Sequence, residues 1–170
     1  MAGDRSDDGS FEEWYRAEHP RVLGLLIVVA GDVDAGRDAT AEAFTRALER
    51  WPRVRQMTSP SAWTYRVGVN VVRRRLRRSA LEARHWFAAP ESSVAVALDT
   101  DLWAAVRRLP PRQRTAIALR YVCDLPHAEI AAVMGVTVGT VSATLTAAHR
   151  RLAAHLEHLN QPRAAHGGVW

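Results

Sequence analysis

The apolar positions of this chain recur at three- and four-residue intervals and nowhere alternate over a strand-length run, so the pattern predicts helices throughout. Ser10 followed by Glu13 is a capping-box pair that starts a helix at Phe11, Pro20 should bend or restart it, and an apolar run carries it to Gly31. A second helix is predicted from about Asp34 to Trp51. Its inward stripe is Phe44, Ala47, Leu48 and Trp51, and its other side shows Arg37, Asp38, Glu42, Arg46 and Glu49. Ser59 and Pro60 form an N-cap and first-turn pair for a third helix. From about Ser79 to Thr100 the periodicity fades and "AAPESSVAVALDT" reads as a linker, with Trp86 and Phe87 available to pack on a neighbouring helix. Periodicity resumes at Asp101. Pro110-Pro111 separates "LWAAVRRL" from a helix through "RQRTAIALRYV", and a short helix, a turn at Gly135 and a longer helix toward His158 follow. The reading is all-α: a flexible N-terminus (1–10), a small helical domain (11–79), a linker (80–100), a second small helical domain (101–159) and a flexible tail (160–170).

The third helix, "WTYRVGVNVVRRRLRR", carries the most unusual composition. At 100° per residue it places Trp63, Arg66, Asn70, Arg73 and Arg77 on one stripe and Tyr65, Val69, Val72 and Leu76 on the opposite one. One face is built for burial. The other gathers cations, a flat indole and an amide that both donates and accepts hydrogen bonds. Such a face is either merely solvated or made for nucleic acid, and the stretch alone leaves the choice open.

Charge distribution shifts that balance. The formal net charge is +5, and residues 59–90 alone carry seven basic groups against one acidic group, whereas residues 1–58 are net negative. A localised cationic segment favours a polyanion contact over general basicity. Cys123 is the single cysteine, which excludes a disulfide framework or a cysteine zinc site within the chain and suits a reducing cytoplasm; in "IALRYVC" it reads as a buried small hydrophobe. The apolar run Val22–Ala30 is too short to span a bilayer, and the acidic N-terminus lacks the start of a signal peptide, so a soluble intracellular protein is expected.

"HAEIAAVMGVTVGTVSATL" carries a helix-turn-helix pattern: Ile130, Ala131 and Met134 face inward, Gly135 turns the corner, and Val136, Val141 and Leu145 tie the second helix to the core. In such units the second helix enters the major groove, which puts Thr137, Thr140, Ser142, Ala143 and Thr146 near base edges.

In order, "DAGRDATAEAFTRALERW", "SAWTYRVGVNVVRRRLRR" and "LPPRQRTAIALRYVCDLPHAEIAAVMGVTVGTVSATL" resemble the extracytoplasmic-function group of bacterial sigma-70 factors, over roughly residues 11 to 156. The resemblance implies a region 2 helical bundle and a region 4 helix-turn-helix. It also implies that RNA polymerase core (its clamp coiled coil and flap) and promoter DNA are partners, with an anti-sigma protein as a further candidate. No cofactor, metal, small-molecule substrate or membrane contact is implied, and the place of work is the cytoplasm, at the nucleoid when polymerase-bound. Asp38, Glu42, Phe44 and Arg46 match the helix that docks on the clamp. Trp63 and Asn70 match positions that stack on and capture a flipped base of the minus-ten element, with Arg66, Arg73, Arg74 and Arg77 beside them for the strand's phosphates. Arg120 matches a position that touches the minus-thirty-five DNA.

Two departures stand out. Where the family carries cations after "VGTV", this chain has Ser142, Ala143 and Thr144, then Ala147, Ala148 and His149, so minus-thirty-five contact should be weak or differently specified, carried by Arg112, Arg114, Arg120, Arg150 and Arg151 around a neutral face. "DATAEAF" also lacks the family's usual leucine and glutamine. No set of carboxylates and histidines converges with catalytic or metal-ligand spacing, so the chain is expected to be a specificity subunit and not an enzyme. Two rival readings stay open: a helix-turn-helix regulator that never melts DNA, and a sigma-like interaction protein without promoter activity.

Overall fold

The computed structural model describes residues 6–83 and 101–160, and every regular element among them is a helix. α1 (Ser6–Ala30), α2 (Val33–Glu49) and α4 (Pro60–Ala83) form the first bundle, with the short α3 (Trp51–Val54) closing one end. α5 (Asp101–Arg108), α6 (Pro111–Tyr121), α7 (His127–Met134) and α8 (Val138–Asn160) form the second. The predicted linker, Trp86, Phe87 and the tail from residue 161 lie outside the described residues.

Two expectations for α1 are corrected. The helix begins at Ser6, so Ser10 stands inside it and does not cap it, and it continues through Pro20 without restarting. Packing outweighs both local signals. Phe11 and Trp14 meet Trp51 with ring centroids 5.2 and 4.9 Å apart, and beyond Pro20 the side chains of Val22, Leu25 and Leu26 are fully buried. Burying each of these contributes about 2 kcal/mol, enough to hold a helix across one missing backbone hydrogen bond.

α2 starts where Asp32 Oδ1 accepts from the Ala35 N–H at 2.7 Å. It buries Ala39, Thr40, Ala43, Phe44 and Ala47, but Leu48, expected inside, is half exposed because it lies about 100° further round than Ala47. The helix also stops at Glu49, and Trp51 reaches the core from the separate turn of α3. In α4, Ser59 Oγ accepts from the Ala62 N–H at 3.2 Å, as its capping position predicts. Tyr65, Val69 and Val72 are buried, whereas Leu76, expected on the same face, is 37% exposed because that end of α4 runs past the bundle.

The helix-turn-helix is present as read. Gly135 ends α7 with φ 67°, the left-handed conformation that glycine adopts without strain, and the chain bends by 98° between α7 and α8. Ile130 and Val141 are fully buried, with Ala131, Met134 and Leu145 nearly so.

The two bundles touch. α6 lies along α1, α7 leans on α4, and one continuous set of buried side chains runs from Val22 to Leu152. A Cβ on Gly24 would stand 3.2 Å from Val122 Cγ1, so the bare glycine lets α6 close on α1. Nearby, the Tyr65 hydroxyl donates to Glu18 Oε2 at 2.9 Å and reaches the Cys123 thiol. Cys123 is buried, as expected, and burial pushes its thiol up to about 12; burial likewise raises the Tyr65 hydroxyl above its ordinary range.

Candidate nucleic-acid and polymerase interfaces

α4 sorts its side chains as its periodicity requires. With Tyr65, Val69 and Val72 turned into the bundle, Arg66, Asn70 and Arg77 are exposed and Trp63 and Arg73 half-buried on the outward side. A half-buried indole keeps part of its surface accessible, which is what a stacking platform needs. Arg73 is lowered from its ordinary guanidinium value by burial, then by the like charges of Arg112 and Arg77. Arg112 belongs to α6, so cations of both bundles face one seam.

Arg74 sits elsewhere. It turns toward α2 and donates to Glu42 Oε1 at 3.2 Å, while Arg75 donates to Asp38 Oδ2 at 3.0 Å and lies 3.7 Å from Glu42 Oε2. Arg46, one turn on from Glu42, pairs with the same carboxylate. Asp38, Glu42 and Arg46 therefore cluster on the accessible side of α2. Phe44 does not join them: it is 4% exposed and packed against Trp14 and Tyr15, with ring centroids at 5.5 and 4.7 Å. The outward stripe beside the acids is instead Ala41, Thr45 and Leu48.

In the second bundle Arg112, Arg150 and Arg151 are exposed, as are Thr137, Thr140, Ala143 and Thr146. Thr137 caps α8, its Oγ1 accepting from the Thr140 N–H at 3.2 Å, and Ser142 is half-buried with its hydroxyl 3.2 Å from His127 Nδ1. Ala148 is fully buried and faces the core, so a cation there could not reach DNA. Arg120 holds the turn into α7: it donates to Asp124 Oδ1 and to the Leu125 carbonyl, both at 3.2 Å, around an Asp124 with φ 51°. Arg114 donates to the Arg107 carbonyl at 2.9 Å and lies against Gly31, in the turn just after α1, where burial lowers its guanidinium below the ordinary value and leaves Nε without a partner. Both arginines are engaged within the protein.

Sequence reasoning missed Leu48 and the pairing of Arg74 and Arg75 with α2. The signal for the pairing was present, since Arg74, Arg75 and Arg78 form a second cationic face of α4 and Asp38 and Glu42 are one turn apart. Among the described residues no cluster of histidines, cysteine and carboxylates could hold a metal ion, and no single helix is long and apolar enough to cross a membrane.

Comparison with known proteins gives these faces a context. The family model Sigma-70 region 2 matches residues 14–82 and the model Sigma-70, region 4 matches residues 99–152. An uncharacterized protein of Rhizobium meliloti (strain 1021) is 30% identical over 166 residues, which cover 88% of this chain and 39% of that longer protein. The ECF RNA polymerase sigma factor SigM of Mycobacterium tuberculosis (strain ATCC 25618 / H37Rv) is 29% identical over 166 residues, covering 94% of this chain and 82% of its own. Among solved structures, the sigma factor RpoE of Bartonella quintana, in complex with the anti-sigma factor NepR, shares the fold with a TM-score of 0.79 at 21% identity, over 87% of this chain and 97% of that one. With both regions matched in order along one all-helical chain, the protein belongs to the extracytoplasmic-function group of the sigma-70 family of RNA polymerase sigma factors.

Proposed function

We propose that the chain brings RNA polymerase core to its promoters by dividing the work among three faces. Residues 11–79 supply two of them: the accessible side of α2 with Asp38, Glu42 and Arg46 docks on the polymerase clamp, and the outward stripe of α4 captures the melted minus-ten strand. Residues 101–159 supply the third, a minus-thirty-five contact through α8 and Arg112, reaching the polymerase flap as well. The carrying observation is the α4 stripe, where Trp63, Asn70 and Arg66 stay accessible while the opposite side of the helix is buried.

The energetics suit strand capture. Extruding a base costs a few kcal/mol, and stacking on an aromatic side chain returns about 1–3 kcal/mol, with the Asn70 amide left to read a base edge and arginines to hold phosphates. Duplex binding gives the same residues no work, which is why a regulator that never melts DNA fits less well. Bond-making belongs to the polymerase, and the site of action is the cytoplasm, at the nucleoid in the holoenzyme. The solved relative that was captured with an anti-sigma factor supports a similar inhibitor as a candidate partner here.

The test is a run-off transcription assay with core polymerase on genomic DNA. A defined transcript is expected from the wild type and should be lost with Asn70→Ala, while binding to core persists. Stable binding to core with no transcript from any promoter would overturn the proposal.

A further inference from the structure

Opposite the buried Val141, Leu145 and Ala148, α8 turns Thr140, Ala143 and Thr146 outward, and in its first turn Val138 is 48% exposed. None of these side chains carries a charge or an amide. Guanine is singled out by arginine or lysine, adenine by asparagine or glutamine and cytosine by a carboxylate, so the face lacks the side chains that select those three bases. What it presents is methyl groups. The hydroxyls of Thr137 and Thr140 face each other at 2.9 Å, and Thr137 Oγ1 also accepts from the Thr140 N–H. Gly139 is a second, independent observation. It is exposed in the first turn of a helix, where glycine is disfavoured, yet the nearest atom to a Cβ there, Thr137 Oγ1, is 3.9 Å away, so packing within the chain does not call for it. A bare Cα on an outward face lets the helix backbone come close to a ligand.

We infer that α8 reads the minus-thirty-five element through thymine methyl groups, which Val138 and Thr140 meet in the major groove with Ala143 beside them. The inference rests on the proposed minus-thirty-five contact and names the base that this contact selects. Among the four bases only thymine carries a methyl group on its major-groove edge, and alanine and the threonine methyl are groups that pack against it. A helix-turn-helix brings the N-terminal residues of its second helix to base edges, which is where Val138, Thr140 and Ala143 stand. Contact of this kind is apolar, so the preference for thymine is independent of salt, whereas the affinity that Arg112, Arg150 and Arg151 draw from phosphates falls as salt rises. Each methyl taken out of water is worth about fourfold in affinity.

The experiment uses holoenzyme rebuilt from the full chain and core polymerase, on a promoter fragment located by run-off transcription. Thymines of its minus-thirty-five element, on both strands, are replaced one at a time by deoxyuridine, which lacks only the C5 methyl, and affinity is read by competition. A loss of about fourfold is expected at individual positions, equal at low and high salt, with no loss at thymines of the spacer between the two elements. Two variants close the cycle. Thr140→Ser keeps the hydroxyl and drops the methyl, and Val138→Ala shortens an exposed side chain; circular dichroism checks the fold of both. Each should bind the thymine promoter less tightly and abolish the loss at a deoxyuridine position, because a methyl without its partner no longer matters. An element with no thymine on either strand, no loss at any thymine, or losses that persist unchanged in both variants would overturn the inference. Run-off transcription by the wild type separates the two levels: no promoter-dependent transcript defeats the functional proposal, whereas normal transcription from a promoter indifferent to deoxyuridine defeats only the methyl reading.

Discussion

Gly36→Ala tests how tightly the α1–α2 crossing is specified. A Cβ built on Gly36 would stand 2.7 Å from Ile27 Cα and equally close to Ile27 N, so it meets backbone and not the end of a side chain that can swing away. Ordinary contact needs at least 3.4 Å, so the two helices would have to separate by about 0.7 Å. That movement would loosen the interleaved apolar side chains of both helices, and because the obstacle is backbone the cost falls in the upper part of the usual overpacking range, about 2–3 kcal/mol. Alanine in a helix returns about 1 kcal/mol through propensity, so the net loss should be about 1–2 kcal/mol. The matched comparison is Gly139→Ala in the first turn of α8, where the nearest atom to a Cβ, Thr137 Oγ1, is 3.9 Å away. There only the propensity gain applies, and stability should rise by about 0.5–1 kcal/mol. Urea unfolding followed by circular dichroism at 222 nm measures both. A neutral or stabilising Gly36→Ala would refute the claim that this crossing, and with it the placement of the docking acids, depends on backbone contact.

Alkaline pH should destabilise the seam between the bundles. The Cys123 thiol titrates at about 12 in the folded chain against 9.0 unperturbed, so its stabilising effect is complete below about pH 9 and is lost as pH rises toward 12, in the same direction as the raised Tyr65. Cys123→Ala should flatten the loss of stability measured from pH 8 to 11, and an unchanged pH slope would contradict this. Ile130→Ala should cost about 2–5 kcal/mol, since the side chain is fully buried between α7 and α8; a change under 1 kcal/mol in urea unfolding would disprove its place in the core. On an isolated minus-thirty-five duplex, the neutral outer face of α8 should give weak binding with a shallow salt slope, and Arg112→Ala should reduce that slope by about one. Tight, steeply salt-dependent binding would sink the neutral-helix reading.

The sequence by itself determined the helices, the two-part order and the outward stripe of α4. These are local consequences of 3.6-residue periodicity, of turn and cap residues such as Ser59, Pro60 and Gly135, and of the apolar residues that must turn inward. It also held the family's order of motifs. Only the tertiary structure decided that Pro20 lies within a continuous helix, that Leu48 turns to the surface beside a buried Ala47, and that Arg114 and Arg120 are engaged by neighbouring backbone. The same holds for Arg74, which sequence placed with the DNA stripe and the fold placed opposite Glu42, 32 residues away. The physical reason is common to all of them. Periodicity fixes which way a side chain points on its own helix, but its partner depends on where another helix crosses, and that is set by contacts between residues far apart in the chain.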